Sequence, residues 1–100
     1  MSNINVAIAD DNEKIRQNLQ ELVSKEGDMT IVGSASNGLD ALNMIRVSHP
    51  DVVLLDIIMP KMDGLGVLEK VNKDETLLKK PAFIILTALG QEEVMEEAIG

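Results

Sequence analysis

Four residues of this sequence stand out for what they could do together: Asp10, Asp11, Asp56 and Thr87. Three carboxylates brought to one place repel one another unless something neutralises them. A hard divalent cation does so, and Mg²⁺ suits a set of oxygen ligands because it keeps several of its waters. The backbone carbonyl of Ile58, in the loop after Asp56, is expected to supply a further oxygen. With the cation bound, one carboxylate can attack phosphorus, since the metal screens an anionic donor and orients it. The product of that attack is an acyl phosphate. The Thr87 hydroxyl would then donate a hydrogen bond to a phosphoryl oxygen.

These acids also have an ordinary explanation. Asp and Asn are common turn formers and helix caps after strands, so Asp10, Asp11 and Asn12 could do no more than start a helix. What lifts the chemical reading above the ordinary one is placement, and placement depends on the elements around these residues.

Apolar runs of strand length alternate with segments of helical period. Val6 to Ala9 is the first strand, and Asn12 caps a helix whose first turn holds Glu13. Ile15, Leu19, Leu22 and Val23 recur on one face of that helix, and Gly27 stops it. Met29 to Ala35 is a second strand that alternates less cleanly. Asn37 and Gly38 open a second helix with Leu39, Leu42 and Ile45 inward, ended by His49 and Pro50. Val52 to Leu55 is a third strand, unbroken in apolarity and so expected to be buried on both faces. Met59 to Gly64 is a loop held by Pro60 and Gly64, and Leu65, Leu68 and Val71 mark the inner side of a third helix, which Asp63 helps to start. Phe83 to Leu86 is a fourth, buried-type strand, and Gly90 and Gln91 begin a last helix with Val94, Met95, Ala98 and Ile99 on one stripe.

This alternation predicts an α/β fold with a doubly wound parallel sheet, flavodoxin-like, in strand order 2-1-3-4. In such sheets ligands bind beyond the carboxyl ends of the strands, at the switch point between strands one and three. Asp10 and Asp11 follow strand one, Asp56 follows strand three and Thr87 follows strand four, so one sheet edge collects all four.

Composition narrows the field further. One hundred residues make a single domain, and 45% apolar content is enough for a core. A net charge of -8 repels phosphate backbones and anionic membranes, so these residues do not grip nucleic acid by themselves. Cysteine, Trp and Tyr are absent and Phe occurs once, which removes thiol chemistry and aromatic stacking platforms. Neither a signal peptide nor the roughly 18 apolar residues of a membrane span is present, so a soluble, cytoplasmic location is expected.

The motifs resemble those of the receiver domains of response regulators in two-component signalling. IADD at 8–11, VVLLDIIMPKMDG at 52–64 and ILTA at 85–88 match that family in order and separation across essentially the whole chain. More narrowly, DIIMPKMDGLGVLE at 56–69 and LTALGQEEV at 86–94 are similar to the receivers of master sporulation regulators of endospore-forming Firmicutes. The resemblance implies Asp56 as phosphoacceptor, Asp11 and Asp56 as direct Mg²⁺ ligands, Asp10 acting through a bound water or as a partial ligand, the Ile58 carbonyl as a further ligand, and Thr87 as a switch hydroxyl beside the small Ala88. It implies a phosphohistidine donor on a sensor histidine kinase or histidine phosphotransferase, and a DNA-binding output domain outside these residues.

The family also has a lysine after its fifth strand. The sequence contains neither that strand nor that lysine, so a receiver cut short before the fifth strand is expected, with an open edge on strand four that would favour a homodimer or an element-swapped dimer. Two rival functions are weighed against the receiver. An Asp-nucleophile phosphatase would need a general acid two residues after its nucleophile, where this sequence has Ile58. A pseudo-receiver, keeping the fold only for protein contact, would have no need of all three acids and Thr87.

The remaining candidates read as structural. His49 is a solvated helix end, Met59 and Met62 are adaptable packing, Lys79 and Lys80 solvate a loop, and Glu92, Glu93, Glu96 and Glu97 form an acidic exposed face.

Overall fold

The computed structural model describes residues 3–86, and within them strands and helices alternate strictly. β1 (Ile4–Ala9), α1 (Glu13–Ser24), β2 (Met29–Ala35), α2 (Gly38–Ser48), β3 (Val52–Asp56), α3 (Gly64–Lys73) and β4 (Ala82–Leu86) follow one another. The strands form one parallel sheet in the order β2-β1-β3-β4, the flavodoxin-like arrangement expected from the sequence.

Each helix begins on a side chain that accepts an amide left over by the helical ladder. Asn12 accepts from the Ile15 N–H at 3.1 Å, Asn37 from Asp40 at 2.9 Å and Asp63 from Gly66 at 2.8 Å. Such caps each contribute about 1 kcal/mol. α2 ends at His49, which is exposed, adopts a left-handed φ of 47° and donates its N–H to the Ile45 carbonyl.

Alternation along the strands sorts side chains to two faces. Ala7, Ala9, Val53 and Leu55 pack with Ala41, Leu42 and Ile45 of α2 and with Val67 and Val71 of α3. Val6 and Ile8 point to the other face, where α1 contributes Val23. Ile45 and Leu55 are almost wholly buried, worth about 1.5–3 kcal/mol each. The imperfect alternation of β2 has a structural cause: Val6 pairs with Ile31 but Ala7 with Gly33, so Val32 bulges out of the register.

Several expected positions are corrected. β1 begins at Ile4, ahead of Val6. Leu22, Leu39 and Leu65 are exposed. In α2 and α3 the buried stripes run through Gly38, Ala41, Leu42 and Ile45, and through Gly64, Val67 and Val71. At about 100° per residue, Leu39 and Leu65 lie roughly a third of a turn from those stripes. Leu22 lies on the flank of an α1 stripe that buries Val23. β3 buries Val53 and Leu55 fully but Val52 and Leu54 only in part. β4 is not buried, with Ile84 53% and Ile85 40% exposed, because among the described residues it has only β3 beside it. The last helix, Thr87 and Ala88 lie outside the described residues. No described helix is long and apolar enough to cross a membrane.

Candidate functional site

Register decides which acids meet. β1 and β3 pair Ala9 with Leu55, so the next residues along each strand, Asp10 and Asp56, emerge side by side. Asp11 follows directly in the turn into α1. One oxygen from each of the three carboxylates lies within 4.8 Å of the others, as the sequence led us to expect. β3 and β4 pair Asp56 with Leu86, the residue before Thr87.

The backbone fixes two of these acids in place. The Asp10 N–H donates to the Ala35 carbonyl at 3.0 Å, its Oδ1 accepts the Asn12 N–H at 2.8 Å, and its carbonyl accepts the Arg16 guanidinium at 2.7 Å. Asp56 Oδ1 accepts the Ile58 N–H at 3.2 Å. Asp10 is 4% exposed and Asp56 5%, whereas Asp11 stands in solvent. None of the three forms an ion pair with a described residue.

The electrostatic consequence falls on Asp56. Burial pushes its carboxyl above the ordinary carboxylate range, and the negative charges of Asp10 and Asp11 push the same way. The Ile58 and Ile57 amides pull in the other direction without reversing the shift. A cleft of about 390 Å³ opens over the cluster, walled by the three acids with Lys14, Ile15 and Asn18 of α1. Such a site can hold a hard cation and admit a small anionic group beside a carboxylate nucleophile.

Ile58 turns its side chain to solvent, and its carbonyl accepts no hydrogen bond from a described residue. Met59 is buried in the core and Met62 packs against it, consistent with the packing role. Arg16 gave no sequence signal, because what it binds is a backbone oxygen rather than an acid. Lys79 and Lys80 are exposed on the loop before β4, as read from the sequence, and there Lys79 pairs with Asp51 at 3.2 Å and Lys80 donates to the Asp74 carbonyl at 2.7 Å.

Residues 6–100 match the family model of the response regulator receiver domain. Among solved structures, the chain is similar to the response regulator domain of Thermotoga maritima CheB, with 30% identity, a TM-score of 0.78, and 97% of this chain and 71% of that one covered. A DNA-binding response regulator of the LuxR family from Staphylococcus aureus matches at 36% identity and a TM-score of 0.75, over 96% of this chain and 78% of that one. A CheX–CheY–BeF3–Mg complex from Borrelia burgdorferi matches at 28% identity and a TM-score of 0.76, over 96% and 70%.

Proposed function

This chain belongs to the response regulator receiver domain family, and from that premise we propose that Asp56 is its phosphoacceptor. Receiver domains are signalling domains of two-component systems rather than enzymes in the usual sense, they bind Mg²⁺ at an acidic pocket, and their partners are histidine kinases or phosphotransfer proteins. One observation carries the assignment to Asp56. Of the three clustered acids it is the one that ends β3, the strand between β1 and β4, so it is buried with Asp10 and Asp11 on one side and is paired on the other with Leu86, the residue before Thr87.

The donor set fits Mg²⁺, being all oxygen and unneutralised by any described cation. Asp11 and Asp56 would hold the ion directly, Asp10 through a bound water, and Ile58 through its carbonyl. When bound, the cation supplies positive charge that offsets the three acids and the charge spread over the transferring phosphoryl oxygens. Asp56 does the covalent work: a carboxylate oxygen attacks phosphorus, the bond from phosphorus to the donor imidazole nitrogen breaks, and the nitrogen keeps the electron pair. The product is an acyl phosphate on Asp56. Thr87, next in the sequence after Leu86, would donate its hydroxyl to a phosphoryl oxygen, and the small Ala88 would leave room.

The output that phosphorylation controls is DNA binding by a domain outside these residues, which the similarity to a DNA-binding response regulator supports. The likeness of 56–69 and 86–94 to sporulation receivers supports sporulation control as the setting. Exposed Ile84 and Ile85 support association of two copies through β4. The phosphatase alternative is disfavoured by Ile58, which cannot act as a general acid.

Incubation with acetyl phosphate followed by intact-mass measurement tests the proposal. The expected result is a single added phosphoryl group that requires Mg²⁺. Labelling of Asp56→Asn, or labelling without Mg²⁺, would refute it.

A further inference from the structure

The loop between β3 and α3 closes on itself and is then pressed from outside. Its ends meet where the Gly64 N–H donates to the Ile57 carbonyl at 2.7 Å. At its tip the Met62 N–H donates to the Pro60 carbonyl at 2.7 Å, across Lys61 with φ of 68°. A three-residue turn with its central side chain in that region is sparsely populated, and it persists only where surrounding structure enforces it.

The enforcing element is the first residue of α2. The Gly38 N–H faces the same Pro60 carbonyl at 3.5 Å. A Cβ on Gly38 would lie 1.9 Å from the Met62 carbonyl oxygen and 2.5 Å from its carbon. Real Cβ atoms essentially never approach within 3.0 Å, so any side chain there would push this backbone back by about 1 Å. Gly38 has no left-handed φ to justify it, and glycine is a poor helix former, so closeness is its reason. α2 cannot yield instead: Asn37 caps it, and Ala41, Leu42 and Ile45 are set in the core.

We infer that Gly38 and the turn at Lys61 are positioning residues for the metal site, holding the loop so that the Ile58 carbonyl stays beside Asp56. Only Met59, itself buried in the core, separates Ile58 from Pro60. The Ile58 N–H already holds Asp56 Oδ1, so a shift at the tip travels a short and stiff path to the carboxylate. The inference rests on the Mg²⁺ reading given above, and it extends that site to a helix that contributes no ligand.

Calorimetric titration with Mg²⁺, alongside melting temperatures without metal, tests it on the wild type, Gly38→Ala and Lys61→Val. Gly38→Ala is expected to bind Mg²⁺ about tenfold more weakly, in the range for residues that orient a ligand. Lys61→Val, β-branched and so hostile to a φ of 68°, displaces the turn from an exposed position that leaves the core untouched, so it should still fold and bind Mg²⁺ several-fold more weakly. Losing the lysine charge would by itself favour a cation, so weaker binding there identifies the turn as the cause. A folded Lys61→Val with wild-type Mg²⁺ affinity overturns the inference and leaves the metal site standing. A wild type that binds no Mg²⁺ overturns the metal reading and the inference with it.

Discussion

At the N-terminal end of β3, Asp51 accepts the Asn5 N–H at 2.8 Å and the Lys79 ammonium at 3.2 Å, while nearby Asp74 is bound by the Thr76 hydroxyl and N–H and by the Arg46 guanidinium. At the other end of the same strand, Asp56 shares its space with Asp10 and Asp11 and pairs with no described cation. The charges respond in opposite directions. The Asn5 amide and Lys79 lower the Asp51 carboxyl, and Thr76 and Arg46 lower Asp74 to about 2, while burial and like charge raise Asp56. One residue type therefore does two jobs. Paired acids fasten β1, α2, β3 and the approach to β4, whereas clustered acids resist folding in their charged form and so favour a cation.

The largest expected effect comes from supplying that cation. Mg²⁺ at a hundredfold excess over its dissociation constant should add about 2.7 kcal/mol to stability. For a domain of this size, that raises the melting temperature by on the order of 10 °C. Calorimetric melts with and without Mg²⁺ check this, and an unchanged transition would erase the distinction between the two ends.

Next in size, Asp74→Ala should lower the melting temperature by several degrees, since it strips Arg46, Thr76 and the loop of their shared partner. The pH dependence has a definite sign. A carboxyl lowered to about 2 from an ordinary 3.8 stabilises the fold fully above the ordinary value, and the contribution fades as pH falls through the folded value. Acid melts of wild type and variant should therefore converge between those values.

A smaller change of opposite sign is expected at Asp56. Its raised carboxyl makes the charged form costly in the folded state, so Asp56→Asn should melt a few degrees higher than the wild type at neutral pH without metal. The gap should narrow as pH falls through the raised value, where the wild-type carboxyl takes up its proton. The Mg²⁺ response should also be lost. Smallest of all, Lys73→Ala should move the melting temperature by no more than about a degree, because its pair with Glu69 is 75% and 65% exposed.

The sequence was most legible where the deciding interaction is short. Asn12, Asn37 and Asp63 cap helices through bonds spanning three residues, and each could be read from its neighbours. The acid cluster was legible because strand ends fall together in any parallel sheet of this order, and the family resemblance then assigned roles that spacing alone could not. Long-range partners left no mark. Arg46 meets Asp74 across 28 residues and Asn5 meets Asp51 across 46, and nothing local to either end reveals them. Leu39 and Leu65 misled because apolarity was read without the phase of the buried stripe. Gly38 read as a helix opener, since its contact with Met62 exists only once α2 and the loop are both in place.

That Asp56 is the one acid at that edge to take a phosphoryl group is the central claim, and covalent trapping tests it most directly. The protein is phosphorylated with acetyl phosphate and Mg²⁺, reduced with borohydride, which converts an acyl phosphate on aspartate to homoserine, and mapped by peptide mass spectrometry. Homoserine at position 56 alone, and only when Mg²⁺ was present, is the predicted result. Homoserine at position 10 or 11, or at 56 without Mg²⁺, would contradict it.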